Sequence, residues 1–474
     1  MRGAIRDRLA TATWPELVGL GWPVSLTLLV RVTMRTIDIL VVGMVVGSAG
    51  VAALGIGDAA MRVVLMTGLG LGAGTITTVS QRVGAGRVHE AKVATTQSAL
   101  IAVAVGVPCT VAGLALAEWY FRVLGAEDDV VAIGAPYLRI VVATAVARLL
   151  AVMLTRAFQG AGDTRTPLVV RTIGTGLNIG LTVALVGGPG PFPELGVQGA
   201  AVGTAVGNVV SAGMLIVLLA RNHRSVGFVR DGWWAPSTAK RILGLAWPQI
   251  IERNIFTVGA IPLNAIVLTF GTVANAGFQI ARRVQLYALL PSRGVATATS
   301  TLMGQHVGRG EAAEGERRAH GGLSLAFVVS LVVGLPMVVL ARPIAGVFVD
   351  EPDAVAAATD WLRVYAVVVV FRAVYGVYRE ALQGAGDTRS PVVSTAVGIV
   401  VFALGASWLF GIALGLGVGA VMAGVVLDPI ARVALLGRWF SSGRWHRFVR
   451  DDPDLAPDHR PAGDDEPVAA RSPR

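Results

Sequence analysis

The heptapeptide Gln159-Gly160-Ala161-Gly162-Asp163-Thr164-Arg165 returns without change as Gln383-Gly384-Ala385-Gly386-Asp387-Thr388-Arg389, 224 residues later. The match extends outward in both directions. At the same shift Tyr137-Leu138-Arg139-Ile140 falls on Trp361-Leu362-Arg363-Val364, Arg148 on Arg372, and Gln81-Arg82-Val83-Gly84 on Gln305-His306-Val307-Gly308. Near the start the shift becomes 225, which lays Gly19-Leu20-Gly21-Trp22-Pro23 on Gly244-Leu245-Ala246-Trp247-Pro248. Four landmarks in one order describe two copies of one unit of about 220 residues, a period far too long for a solenoid.

Composition places this duplicated chain in a membrane. Of 474 residues 54% are hydrophobic and 15% charged, with a mean hydropathy of +0.66. A spanning helix needs roughly 20 apolar residues, and twelve such stretches are read between residues 16 and 438, six per repeat. The reading is an all-α membrane protein of twelve transmembrane helices in two six-helix bundles. Because six is even, both bundles enter from the same side and are related by a pseudo-twofold axis along the membrane normal. The expected organisation is an N-terminus of 1–11, a first lobe of 12–220, a connection of 221–243, a second lobe of 244–440 and a disordered tail of 441–474. The tail is polar and carries Pro453, Pro457, Pro461 and Pro467 among acidic residues.

The net charge of +10 comes almost entirely from arginine. Its positions argue against nucleic acid. Arg2, Arg6 and Arg8, then Arg82, Arg87 and Lys92, then Arg156 and Arg165, then Arg221, Arg224, Arg230, Lys240 and Arg241 mark the N-terminus and the even connections. The odd connections are poorer in basic residues. This positive-inside pattern puts both termini in the cytoplasm of a cell whose plasma or inner membrane the chain crosses. Cys109 is the only cysteine, so no internal disulfide forms. The first apolar run is long and lacks a cleavage site, so it reads as a retained helix.

Enzymatic chemistry finds few residues to use. All six histidines fall in connections or the tail, and neither His-Glu-x-x-His nor Gly-x-Ser-x-Gly occurs. No Gly-Lys-[Ser/Thr] completes a phosphate loop, so glycine runs such as 68–74 read as close helix packing. No cofactor is expected.

Gly160 and Gly162 supply a helix stop in the repeated heptapeptide, with Thr166 as N-cap and Pro167 opening the next helix; Gly384, Gly386, Ser390 and Pro391 repeat the device. Two readings stand for its charges. The segment is a plain hairpin, or Asp163/Arg165 and Asp387/Arg389 are switching ion pairs at a cytoplasmic gate.

Taken together, the twin heptapeptides, the Leu-Arg entries at 137–140 and 361–364, and the Gln-x-Val-Gly-x-Gly motifs at 81–86 and 305–310 resemble the multidrug and toxic compound extrusion (MATE) family of secondary antiporters. Leu195-Gly196-Val197-Gln198-Gly199-Ala200-Ala201 belongs to that pattern, as does Pro23 followed by Asp38 and Gly43. The resemblance covers about residues 12–440. It implies an antiporter, coupled to H+ or Na+, that exports amphipathic small molecules or drugs by alternating access. A flippase of a lipid-linked precursor in the same superfamily is the alternative. Twelve spans and a lone Asp38 favour the exporter. A monomer working on small-molecule cargo within the bilayer is expected.

Differences between the halves point to the chemistry. Asp38 aligns with Leu263, and Asn178 with Phe402. A carboxylate at the centre of a spanning helix costs roughly 2.5–3.5 kcal/mol on insertion scales, so it reads as functional. The resemblance implies that Asp38 binds the coupling ion near Asn178, with Thr204 beside them and Thr182 standing where the family often has a second aspartate. A Na+ would be held at Asp38 and Asn178. Against this, Arg31, Arg35 and Asp38 share one helix face, so Arg35 could silence Asp38 or switch with it. Arg139/Arg363 and Arg148/Arg372 read as braces, Asp428, which the repeat does not match, as a contact for cargo in the second lobe, and Glu252 as interfacial. The excess of arginine leaves anionic or zwitterionic cargo open.

Overall fold

A computed structural model describes residues 11–188, 190–221 and 225–450. The described chain is helical. The first half holds α1 (Trp14–Val45), α2 (Ser48–Gly84), α3 (Val88–Val123), α4 (Asp128–Val142), α5 (Ala145–Gly160), α6 (Arg165–Val186) and α7 (Val197–Ala220). The second holds α8 (Pro236–Leu268), α9 (Thr272–Ala288), α10 (Leu290–Gly308), α11 (Ala312–Val339), the short α12 (Ala341–Gly346), α13 (Pro352–Gly384), α14 (Arg389–Val397) and α15 (Val418–Ser441). The helix begun by α14 continues with wider, π-type winding over Gly398–Ala413. Joined at their breaks, α4 with α5 and α9 with α10 complete two lobes of six rods each.

Among the described residues nine helices are long and apolar enough to cross a membrane, ten when α4 and α5, bent by 48°, count as one. The rods that fall short are α1 and the α9–α10 pair, and their surroundings explain it. Nearly all of α10 from Leu290 to Val307 is buried in protein, and α1 carries Glu16, Arg31, Arg35 and Asp38. A helix enclosed by other helices has no need of the apolarity that lipid demands. Lipid-facing apolarity shows elsewhere, in exposed Val103, Val107, Val111 and Leu114 on α3 and Val332, Leu335 and Val339 on α11.

Each lobe has its own apolar core, one around Phe121, Tyr137 and Leu149, the other around Phe278, Trp361 and Tyr365. The first helix of each half nevertheless crosses to the opposite lobe. Leu17 joins the second core, the Trp14 indole donates to Ser324 Oγ at 3.0 Å, and Glu16 pairs with Arg318 at 2.6 Å. Reciprocally, Ile242 and Ala246 of α8 join the first core. Glycine permits the approach: a Cβ at Gly74 would lie 2.1 Å from the Ile242 carbonyl oxygen, and one at Gly21 3.0 Å from the Gly294 carbonyl carbon.

Two expectations are corrected at the edges. Helix α8 begins at Pro236 rather than 244, opened by a proline in its first turn. The segment beginning at 441 is not disordered as far as 450. Trp445 is fully buried and stacks on Phe440 and His446, and α16 (His446–Arg450) follows. Burying that indole offsets the ordering entropy that the polar composition suggested would prevail. The expectations for residues 1–10 and 451–474 lie outside the described residues.

Candidate functional site

Helices α6 and α7 pack through glycine, and that packing builds the pocket for Asp38. A Cβ at Gly203 would meet the Asn178 carbonyl oxygen and Thr182 Oγ1, both at 2.8 Å; one at Gly207 would lie 2.7 Å from the Gly174 carbonyl oxygen. With the backbones this close, Asn178, Thr182 and Thr204 converge on α1. The Thr182 hydroxyl donates to Asp38 Oδ1 at 3.1 Å, and the Asn178 amide donates to Thr204 Oγ1 at 3.0 Å. Asp38 is 7% exposed, Asn178 1% and Thr182 0%.

One oxygen is left over: Asn178 Oδ1 is buried without a partner among the described residues. Native interiors seldom leave such an acceptor unmet. Together with the Asp38 carboxylate and the two threonine hydroxyls it puts oxygen atoms, the kind that a hard cation or a proton takes, on three neighbouring helices. Of the four residues that the resemblance groups, the structure joins Asp38 to Thr182 and Asn178 to Thr204.

Arg35 does not join Asp38. The guanidinium turns to Asp58 Oδ2 at 2.9 Å, and the Tyr137 hydroxyl donates to the other oxygen of Asp58 at 3.2 Å. Sharing a helix face with Asp38 was insufficient, because α2 offers a carboxylate closer to the guanidinium than the one on its own helix. Arg31 does not join Asp38 either, and it pairs with no carboxylate among the described residues.

Asp428 is buried and held by Arg432 on its own helix and by Arg372 at 3.6 Å. Arg432 also lies over the Phe256 ring, 4.4 Å from its centroid. Comparing repeats missed this pair, since Arg432 aligns with Asn208. Gly398 makes room for it: a Cβ there would lie 2.4 Å from Arg432 Nε. Glu252, read as interfacial, is fully buried. It accepts from the Tyr375 hydroxyl at 2.6 Å and from Thr395 at 3.1 Å, and it pairs with Arg379 at 3.4 Å. Glu380 pairs with the same arginine. The signal available in the sequence was the alignment of Arg156 with Glu380, a reversal of charge between the halves.

The repeated heptapeptides contribute in an unforeseen way. Asp163 and Asp387 cap helices: Asp387 Oδ1 accepts from the backbone N–H groups of Arg389 and Ser390 at 3.2 and 3.0 Å. Its Oδ2 accepts from the Ser390 hydroxyl at 2.5 Å. Asp163 does the same for Arg165 and Thr166. The aspartates, rather than Thr166 and Ser390, satisfy the free amides of the next helix.

The residues just before them tie the lobes together. Thr301 Oγ1 and Gln305 Nε2 of the second lobe donate to the carbonyls of Gln159 and Gly160 at 3.0 and 3.1 Å. Thr77 Oγ1 and Gln81 Nε2 of the first donate to those of Gln383 and Gly384, each at 3.0 Å. The acceptors end α5 and α13, where helix carbonyls lack intrahelical partners. Arg241 orients Gln81 through a 2.6 Å bond to its Oε1. Helices α2 and α10 cross so closely here that a Cβ at Gly84 would lie 2.0 Å from the Gln305 carbonyl oxygen, and one at Gly308 1.9 Å from that of Gln81. The two repeated motifs therefore meet as one reciprocal clasp about the pseudo-twofold axis.

Two six-helix lobes, a polar pocket buried inside one of them and a clasp between them define a multi-pass membrane transport protein. The MatE family model matches residues 23–184 and again residues 248–409. The chain belongs to that family, and each half is a complete copy of its unit. It is similar to a probable multidrug resistance protein NorM of Thermotoga maritima, 27% identical over 79% of this chain and 81% of the relative. An FAD transporter of Shewanella oneidensis is 23% identical over 70% of this chain and 72% of its own. A solved MOP superfamily transporter from Pyrococcus furiosus, described as having a binding pocket of reverse polarity, superimposes with a TM-score of 0.85. That match is 23% identical and covers 93% of this chain and 98% of the other.

Proposed function

We propose that this protein is an H+- or Na+-coupled antiporter that exports amphipathic small molecules by alternating access. It would work as a monomer in the plasma or inner membrane with both termini cytoplasmic. Its lobes would span about 12–220 and 244–440, joined through 221–243. The observation that supports the coupling is Asp38, buried in one lobe against Thr182 and without an acidic counterpart at its place in the other, with the unpartnered buried oxygen Asn178 Oδ1 one turn away on the Thr182 helix. A site that takes a cation within one lobe can bias the packing of α1 against α6 and α7, and so the way that lobe meets its partner.

The clasp supports alternating access. Its hydrogen bonds are few and lie at one end of the lobe interface, so a rocking motion can break them together. In this reading the gate consists of Thr77, Gln81, Thr301 and Gln305 with the carbonyls they hold. Asp163 and Asp387 shape the loops, while Arg165 and Arg389 lie beside them. A lipid-linked precursor is the less favoured cargo, since relatives matched over most of their length include ones named for multidrug resistance and for FAD transport.

Proteoliposomes loaded with a fluorescent dye test the coupling under Na+ and pH gradients imposed separately. Efflux driven by one gradient, and lost in Asp38→Asn, is the expected result. Equal efflux without either gradient would remove the antiporter reading.

A further inference from the structure

Arg31, Arg148, Arg156 and Arg171 of the first lobe lie within electrostatic reach of one another and of Arg253 and Arg293 of the second, with the carboxylates Asp58, Glu252 and Glu380 acting on Arg148, Arg156 and Arg253 as well. None of the six makes an ion pair among the described residues. The nearby carboxylates are engaged elsewhere: Glu252 and Glu380 with Arg379, Asp428 with Arg432 and Arg372, and Asp58 with Arg35.

These side chains lie deep in the protein but are not sealed. Five are half-buried and Arg293 is exposed. In Arg171 and Arg253 the Nε is buried with no partner among the described residues. Nor does duplication account for the set. Arg31, Arg156, Arg171, Arg253 and Arg293 align with Phe256, Glu380, Thr395, Leu28 and Leu69, and only Arg148 is repeated, as Arg372. Cations within a membrane protein that lack an ion-pair partner are costly and mark function by default.

We propose that the interlobe cavity binds an organic anion, a molecule bearing phosphate or carboxylate groups, on the guanidinium groups of these arginines. Guanidinium presents paired donors that match two oxygens of such a group, and several can share one polyanion. The inference rests on the transport reading above and names its cargo class. It also places cargo and coupling ion on one helix, since α1 carries both Arg31 and Asp38, so that ion binding and cargo release can act through the same element.

Binding without any gradient separates this inference from the transport reading. Fluorescence polarisation of carboxyfluorescein, with FAD and ethidium as competitors, is measured on the purified full-length protein in detergent. Carboxyfluorescein should bind, FAD should displace it, ethidium should not, and added salt should weaken the complex. Arg171→Gln and Arg293→Gln should each weaken binding about tenfold, with Arg171→Lys in between; the exposure of Arg293 keeps its variant folded. Repeating the measurement in nanodiscs with and without phosphatidylglycerol tells a soluble anion from a lipid headgroup, since only the latter predicts competition by the lipid. Ethidium bound in preference to carboxyfluorescein, or anion binding unchanged in both glutamine variants, would overturn the proposal. Anion binding in a protein that shows no driven flux would leave it standing and refute the transport reading instead.

Discussion

Gly308→Ala tests the clasp most directly. The added methyl would lie 1.9 Å from the Gln81 carbonyl oxygen, against an ordinary contact of about 3.4 Å, so α2 and α10 must part by about 1.5 Å. Neither side of that contact is a flexible chain end, and rotamer changes cannot relieve it. Parting by this much also stretches the bonds from Gln81 and Gln305 beyond hydrogen-bonding distance. Overpacking of this kind costs about 2–3 kcal/mol, equivalent to about 30–150-fold in the ratio of clasped to unclasped molecules. A conformation in which the lobes have separated at this end has no such contact and bears none of the cost. The readout is a cysteine at Ser80, which is buried beside Gly304 at the seam, placed in a Cys109→Ala background. Its maleimide labelling should accelerate at least tenfold in Gly308→Ala, because labelling tracks the population of the open form. Gly244→Ala, where an added methyl meets nothing within 4 Å, is the control and should label like the parent. Labelling and transport at parental rates in Gly308→Ala would refute the clasp.

Asp38→Asn should melt near the parent temperature yet lose gradient-driven efflux, with Asp38→Glu partly active; a fully active Asn variant removes Asp38 from the coupling. Arg35→Gln should leave ion affinity unchanged and cost about 0.5–1 kcal/mol in thermal unfolding. A double-mutant cycle should couple it to Asp58 and not to Asp38. Asp387→Ala should destabilise by about 1–2 kcal/mol through the lost helix cap, more than Asp163→Ala because Asp387 is fully buried. Removing the positive charge instead, as Arg389→Gln, should change the melting temperature little, and a large drop there would favour the switching ion pair.

Much of the pocket around Asp38 was legible in the chain. Asp38 stood out because the second half has Leu263 at its place. Its partners were harder to read. Arg35 was assigned to Asp38 by helical spacing, which ranks neighbours along one helix and is blind to the facing helix that carries Asp58. The same blindness hid the Arg432–Asp428 pair and the burial of Glu252, whose partner Arg379 lies 127 residues away.

The sequence by itself determined the membrane class and the duplication, because hydropathy and self-similarity are properties of local composition that every stretch of chain carries. It also marked both repeated motifs as important without saying that they touch. Only the tertiary structure decided that they do. The hydrogen bonds from Gln81 to Gly384 and from Gln305 to Gly160 join residues far apart in the chain, and no periodicity reports such contacts. The tertiary structure likewise carried α1 and α8 across to the opposite lobes. Their glycine-lined neighbours accept them at backbone distance, and that fit is a matter of shape between helices that the order of residues does not encode locally.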